Sequence, residues 1–342
     1  MKIDFQKIVV GLSLALATFA VVKTVKTKDQ SMFSNITKRL DSIEDAISYK
    51  GITGKGKQGR HNHIYRLIEE KEKLRKYTYI LNQPYDEAQI DRTTKYPDRI
   101  WLFWDKGFEN APQLVKDCVA SIKKHSCGRI VELVDANNLK KYIQLPDYII
   151  QKYKDGIITP IQLSGIVRTE LLYQHGGTYF DATIYAIDDP KEIFEAEEYF
   201  NTFANENNYN KLSFNVIPNY CLRFKQPKHY FCYVIRNFLF DYWKENDIDV
   251  YWQWYSFVTI AHQEDYKVFK LTQRVLEQNN KNNAYRVLGS ILLEKYTPSL
   301  YEKIKKSGQK VFKLTDTNKI SKQNLDNTVL GYLLNSTQHQ QK

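Results

Sequence analysis

The chain has 342 residues, enough for one large domain with appendages or two small ones, and its 42% hydrophobic content supports a sizeable core. Lysine and arginine outnumber aspartate and glutamate by 50 to 39, a net charge of +11 that draws nucleic acid, anionic lipid or phosphorylated ligands. No zinc-finger, RNP or helix-turn-helix pattern occurs, which sets nucleic acid aside. The G-x-S-x-G, Walker A and dinucleotide glycine motifs are also missing, against a hydrolase or a nucleotide-binding enzyme of those types. Cys118, Cys127, Cys221 and Cys232 fit no zinc spacing. Reduced, structural thiols are the expectation.

Ile8 to Val22 is an uncharged apolar run between Lys7 and Lys23. It is shorter than the roughly 20 residues of a full span. It reads as a short anchor with snorkelling lysines, as the core of a cleaved signal peptide, or as an interfacial segment. The flank beyond it is the more basic, which favours an anchor over residues 1–28 with the remaining chain on the cytoplasmic face of the cell membrane. Much of the basic excess lies in this N-terminal part, from Lys23 to Lys76, and points to an anionic membrane surface as a partner.

Residues 29–90 read as a helical stalk and linker. Phe33, Ile36, Leu40, Ile43 and Ile47 follow heptad spacing, which admits a homodimer through residues 33–47 or a helix resting on the next domain. Gly51 to Gly59 is a flexible linker. His63 to Leu81 reads as a charged helix leading into the domain at 91–335.

After Pro97, Ile100 to Trp104 is a predicted strand, Ala111 to His125 an amphipathic helix with Pro112 in its first turn, and Ile130 to Val134 the next strand. Thr159 can cap a helix and Pro160 suits its first turn. Leu163, Ile166, Val167, Leu171 and Leu172 recur at helical spacing. Gly176 and Gly177 end that helix. Thr178 to Tyr185 reads as one strand, with Tyr179, Asp181, Thr183 and Tyr185 on one face. A carboxylate among aromatics on such a strand needs a cation or a metal. Strands are further predicted at Tyr199 to Ala204 and Leu212 to Ile217, and helices at His229 to Trp243 and Trp252 to His262. A polar, frayed tail covers 336–342. The alternation of strand and helix indicates an α/β sheet with ligands at the carboxyl ends of its strands.

The segment Ser164 to Tyr185, SGIVRTELLYQHGGTYFDATIY, resembles the sugar-binding DXD region of nucleotide-sugar glycosyltransferases. It is most similar to the bacterial capsular polysaccharide synthesis family, related to α-mannosyltransferase-like enzymes. Ser164, Arg168, Gly176, Gly177, Tyr179, Asp181, Ala182 and Thr183 carry the likeness. Arg99 to Lys124 resembles the first strand, loop and helix of that family, and a weaker likeness continues to about residue 260. Gly165 stands where relatives usually have aspartate, and Thr183 where the wider superfamily has its second one.

The resemblance implies a GT-A-like fold, that is, an α/β Rossmann-like nucleotide-sugar domain behind a helical N-terminal extension. It implies transfer of a sugar, with retention, from a nucleotide-sugar donor such as a UDP-sugar to a lipid-linked saccharide acceptor. Asp181 and Arg168 would be the catalytic residues. Trp104, Asp105, Ser164, Arg168, Gly177, Asp181 and Thr183 would bind the donor, and Asp181 with Thr183 would hold Mn²⁺ or Mg²⁺. Arg168 could contact the donor, orient Asp181 or simply pair with it. Of Trp101 and Trp104, strand alternation sends one to the core. Asp188 and Asp189 serve the ligand or form a turn before Pro190. His262, Trp252 and Trp254 belong to the acceptor side or to the core. Gly165 and the single aspartate also fit a second reading, a degenerate transferase serving as scaffold or sugar-binding subunit.

Overall fold

The computed structural model describes residues 73–86, 94–200, 217, 219–246, 253–279, 291, 294–306, 308–314 and 325–338. The apolar run at Ile8 to Val22, the heptad positions, the glycine linker and most of the strand predicted at Leu212 to Ile217 lie outside them. Among the described residues no helix is long and apolar enough to cross a membrane.

The fold is mixed α/β. Its strands are β1 (Arg99–Phe103), β2 (Ile130–Val134), β3 (Gly177–Phe180), β4 (Ile184–Ala186), β5 (Glu198–Phe200), β6 (Cys221–Phe224) and β7 (Val311–Lys313). Five of them form one sheet in the order β2-β1-β3-β6-β5, and β4 pairs with β7 in a separate ribbon. β1 runs parallel to both β2 and β3, while β6 is antiparallel to β3 and β5.

The helices are α1 (Gln113–Lys124), α2 (Asp147–Lys154), α3 (Pro160–His175), α4 (Lys191–Phe194), α5 (Tyr230–Glu245), α6 (Gln253–Glu264), α7 (Tyr266–Asn279), α8 (Pro298–Lys306) and α9 (Val329–Gln338). α9 runs three residues into the stretch predicted as polar tail. A 3-10 helix, Arg75–Asn82, precedes the sheet. Its Tyr77 and Ile80, with Leu74 just before it, join the core formed by α3, α5 and α6, and the Tyr77 hydroxyl donates to Glu245 at 3.2 Å.

Both faces of the sheet are covered, so its central strands are largely apolar. On β1, Trp101 and Phe103 pack with α3, α5 and α6, whereas Ile100 and Leu102 pack with α1 and α4. Tyr179 and Phe180 divide between the same two cores. Arg223, on β6, is a buried charge among them, 1% exposed. Its guanidinium is tied to Asp98 at 2.7 Å, Thr178 Oγ1 at 3.0 Å and the Ala196 carbonyl at 2.6 Å, which satisfies a cation that burial alone would exclude. Because α1 and α3 lie on opposite faces, the chain leaves β1 in one direction for β2 and comes back across it to β3. The carboxyl ends of β1 and β3 flank such a switch point.

α3 starts as its sequence dictates. Thr159 and Gln162 form a reciprocal capping box ahead of Pro160. It ends at Gly176, φ 66°, followed by Gly177, φ 92°. One expectation needs correction: Thr178 to Tyr185 is two strands, not one. β3 stops at Phe180, and the Ile184 N–H closes a turn onto the Asp181 carbonyl at 2.9 Å. Asp181 therefore sits past the end of β3, and strand alternation does not carry through to Thr183 and Tyr185. No glycine or proline marks this turn. Tertiary bonds set it, including Asp181 N–H to the Tyr220 carbonyl at 2.8 Å.

A Cβ on Gly177 would lie 2.5 Å from the Arg99 carbonyl oxygen, whereas one on Gly128, φ 77°, would meet nothing within 4 Å. Gly128→Ala should thus lose only the left-handed backbone term, about 1–2 kcal/mol. Gly177→Ala adds overpacking and should lose about 2–5 kcal/mol. Urea unfolding of the two variants checks this; equal losses would refute the close-approach argument.

Candidate active site

A cavity of about 460 Å³ opens at the carboxyl ends of β1 and β3. That is an ordinary size for a small-molecule site. Phe103, Trp104 and Asp105 enter it from the end of β1, and Tyr179, Asp181, Ala182 and Thr183 from β3 and the turn after it. α3 contributes Ser164, Gly165 and Arg168, the start of α6 contributes Gln253, Trp254 and Tyr255, and β7 contributes Lys313.

The floor is a charged trio. Arg168 Nη2 donates to Asp181 Oδ1 at 2.8 Å and to Ser164 Oγ at 3.1 Å. Lys313 Nζ donates to Asp181 Oδ2 at 2.7 Å and to Thr183 Oγ1 at 2.6 Å. Arg168 is almost wholly enclosed, its side chain 3% exposed, with the guanidinium carbon 4.6 Å from the centre of the Tyr179 ring. Asp181 is 21% exposed and Lys313 27%. Burial pushes the Asp181 carboxyl up, but the Lys313 ammonium and the Arg168 guanidinium outweigh it and hold the group below the usual carboxylate range. Asp181 is thus an anion held between two fixed cations. The trio carries one net positive charge facing the cavity.

Two buried lining residues keep unused donors. Nε and Nη1 of Arg168 and Nε2 of Gln253 make no hydrogen bond among the described residues. Buried donors of this kind call for a partner, and an oxygen-rich ligand supplies one.

The upper part is aromatic and polar. Trp104 faces the cavity, whereas Trp101 is fully buried and its indole N–H donates to the Gly176 carbonyl at 2.8 Å. Asp105 accepts from the Tyr153 hydroxyl at 3.0 Å. Burial, with Asp105 alongside, pushes that hydroxyl up to about 12, so it remains a donor at neutral pH. Trp254 is fixed by its N–H to Thr169 Oγ1 at 3.0 Å and lies over Gly165, where an added Cβ would stand 3.6 Å from its Cδ1. An indole therefore borders Gly165 on the cavity wall.

Six of the seven residues read from sequence as donor ligands meet here: Trp104, Asp105, Ser164, Arg168, Asp181 and Thr183. Gly177 does not line the cavity; it sits beneath, against β1. Asp188 and Asp189 are also elsewhere, paired with Lys310 and with His125 respectively. His262 bonds Thr272 Oγ1 at 2.7 Å away from the cavity, and burial lowers its pKa to about 4. Trp254 reaches the site; Trp252 lies outside the described residues. Asn327 turns the chain at φ 62° and its carbonyl accepts from Tyr296 N–H. Lys313, Gln253, Tyr255 and Asn219 were not legible as site residues. Only the aromatic cluster around Trp254 hinted at any of them.

Asp181→Asn should remove an acid-labile contribution. The wild-type carboxyl has its pKa depressed on folding, so its stabilisation is present above the unfolded value near 4 and is lost as pH falls below it. At pH 7 the variant leaves Arg168 without its counter-charge and should lose on the order of 3 kcal/mol. The difference between wild type and variant should narrow below pH 4. Chemical unfolding at pH 7 and pH 3 measures it, and a gap that stays constant would refute the assignment.

Residues 46–333 match the family model described as capsular polysaccharide synthesis protein. No curated protein matches the chain. Among solved structures it is similar to "PaToxG Glycosyltransferase" at 17% identity and a TM-score of 0.35, over 70% of this chain and 95% of that one. On the match that spans most of its length, the chain belongs to the capsular polysaccharide synthesis protein family.

Proposed function

We propose that this chain is a glycosyltransferase with a GT-A-like domain, which transfers a sugar from a nucleotide-sugar donor, a UDP-sugar, to a lipid-linked saccharide in capsular or surface polysaccharide synthesis. The observation that carries the reading is the Arg168–Asp181–Lys313 trio at the floor of an aromatic-edged cavity. A net positive, partly desolvated floor with unused N–H donors suits a diphosphate. Trp104 suits a stacked base, and Asp105, oriented by Tyr153, suits ribose hydroxyls. Family membership supports the same reading.

In this reading the bond from the donor's anomeric carbon to the diphosphate breaks as the acceptor oxygen bonds that carbon from the same face. The acceptor proton passes to the departing phosphate oxygen, and configuration is retained. Arg168 and Lys313 stabilise the charge that develops on the leaving diphosphate, a preorganised electrostatic role. Asp181 fixes both cations. The basic N-terminal region, from Lys23 to Lys76, would hold the domain beside anionic lipid and its lipid-linked acceptor at the cytoplasmic face. The alternative is a sugar-binding scaffold without turnover, favoured by Gly165 and by the single aspartate of the DAT segment.

The test is donor titration and hydrolysis across a panel of nucleotide sugars. One donor should bind and be slowly hydrolysed by the wild type. Trp104→Ala should weaken its binding about 10- to 100-fold, the loss of one stacked base. Arg168→Ala, in folded protein, should abolish hydrolysis. Binding without turnover favours the scaffold, and absence of binding to every donor overturns the reading.

A further inference from the structure

The geometry points to Lys313 as the resident cation of this site, holding the place where a Mn²⁺ or Mg²⁺ ion is expected, so that the donor's diphosphate binds without a divalent metal. This rests on the donor-site reading above. The two side chains expected to ligate metal, Asp181 and Thr183, are the two that the Lys313 ammonium binds, at 2.7 and 2.6 Å. The other Asp181 oxygen is taken by Arg168 at 2.8 Å. A divalent ion placed on this carboxylate would meet two fixed positive charges within contact distance. Lys313 would have to leave first.

Carboxylates are also few here, so a divalent ion would depend on the diphosphate and on water for most of its ligands. Apart from Asp181, Asp105 is the one carboxylate among the described lining residues, and Tyr153 holds it. Mg²⁺ takes octahedral oxygen coordination and is commonly held by one or two carboxylates together with substrate phosphates and water, and here the one carboxylate placed for it is already bound by two cations. The trio of Arg168, Asp181 and Lys313 carries a net charge of +1, the same as a divalent ion on a single carboxylate. The electrostatic task is therefore met by side chains alone.

The position of Lys313 is built into the fold. β7 pairs antiparallel with β4, with Lys313 opposite Ile184. Leu314 N–H then donates to the Thr183 carbonyl at 3.0 Å. Position 313 is pinned to the same turn that presents Asp181 and Thr183. Phe312 and Leu314 are fully buried on the core side, so alternation along the strand turns Lys313 towards the cavity. An ammonium has three N–H donors. Two go to Asp181 and Thr183, and the third remains for a phosphate oxygen.

The experiment is calorimetric titration of the full chain with UDP and with inorganic pyrophosphate, in EDTA and in Mn²⁺. Wild-type affinity for both probes should agree within about twofold between the two conditions. Lys313→Met should weaken both in EDTA by about tenfold or more, the value of one charge-assisted hydrogen bond. Mn²⁺ should recover part of that loss, because Asp181 is then free to take the ion. Lys313→Arg should retain binding in EDTA. Wild-type binding that requires Mn²⁺ and vanishes in EDTA overturns the Lys313 assignment and leaves the donor site standing. Failure of folded wild type to bind either probe in either condition overturns both. The wild-type comparison decides the matter even if Lys313→Met does not fold.

Discussion

Gly177 has no side chain, and the geometry of the site depends on that. Its Cα hydrogens face the Arg99 carbonyl, where a Cβ would stand 2.5 Å away. The close approach lets β3 lie directly beside β1 in parallel register, Ile100 opposite Thr178 and Trp101 opposite Tyr179. Gly176 just before it ends α3 in a left-handed conformation and offers its carbonyl to the buried Trp101 indole. Helix, reversal and strand thus form one fixed unit. Arg168 and Asp181, thirteen positions apart in the chain, meet at 2.8 Å because the unit has no slack. The same reversal brings the end of β1, with Trp104 and Asp105, to the rim of the same cavity.

The electrostatics follow from that placement. An enclosed guanidinium is costly without a counter-charge, and an enclosed carboxylate likewise. Asp181 answers Arg168 on one oxygen and Lys313 on the other, and its depressed pKa records the excess of positive charge around it. With two cations on one anion, the site is left short of negative charge where it opens to solvent. Asp105 also lines the cavity, where the Tyr153 hydroxyl donates to it, so the positive excess belongs to the Arg168–Asp181–Lys313 cluster and not to the whole lining. The lining thus combines a locally cationic cluster with the Trp104 indole and the Asp105 carboxylate, the mixture on which the proposed nucleotide-sugar reading rests.

Much of this was legible in the sequence because the signals are local. The capping box at Thr159, the apolar spacing of α3, the paired glycines, and the apolar runs of β1 and β2 each declare themselves within a few residues. Asp181 stood out because it was read as a carboxylate on an apolar strand, where a charge demands a partner, although the structure places it just past the strand's end. What could not be read is non-local. β6 carries Arg223 at its middle, which looks like a surface residue until Asp98 and Thr178 are seen to enclose it. The turn between β3 and β4 has no glycine or proline; its local Ile184–Asp181 bond is supported by Tyr220 and β7, which are distant in the chain. Lys313 is one of many lysines in a basic chain, and three residues of strand give no sign that this one points inward. Its significance comes from the pairing of β7 with β4, which brings it to Thr183, 130 positions earlier.

That pairing also gives the site a direction in time. Asp181, Arg168 and the glycine reversal are all made before residue 182, and the sheet that holds them is nearly complete by β6. Lys313 arrives much later, on a ribbon stabilised by Phe312, Val329 and Leu330 in a core of its own. During synthesis the half-made domain therefore presents Asp181 with one cation rather than two, beside an uncovered apolar ribbon edge at β4. The charge of the site is complete only once β7 docks on β4, so the order in which the two cations reach Asp181 is written into the order of the chain.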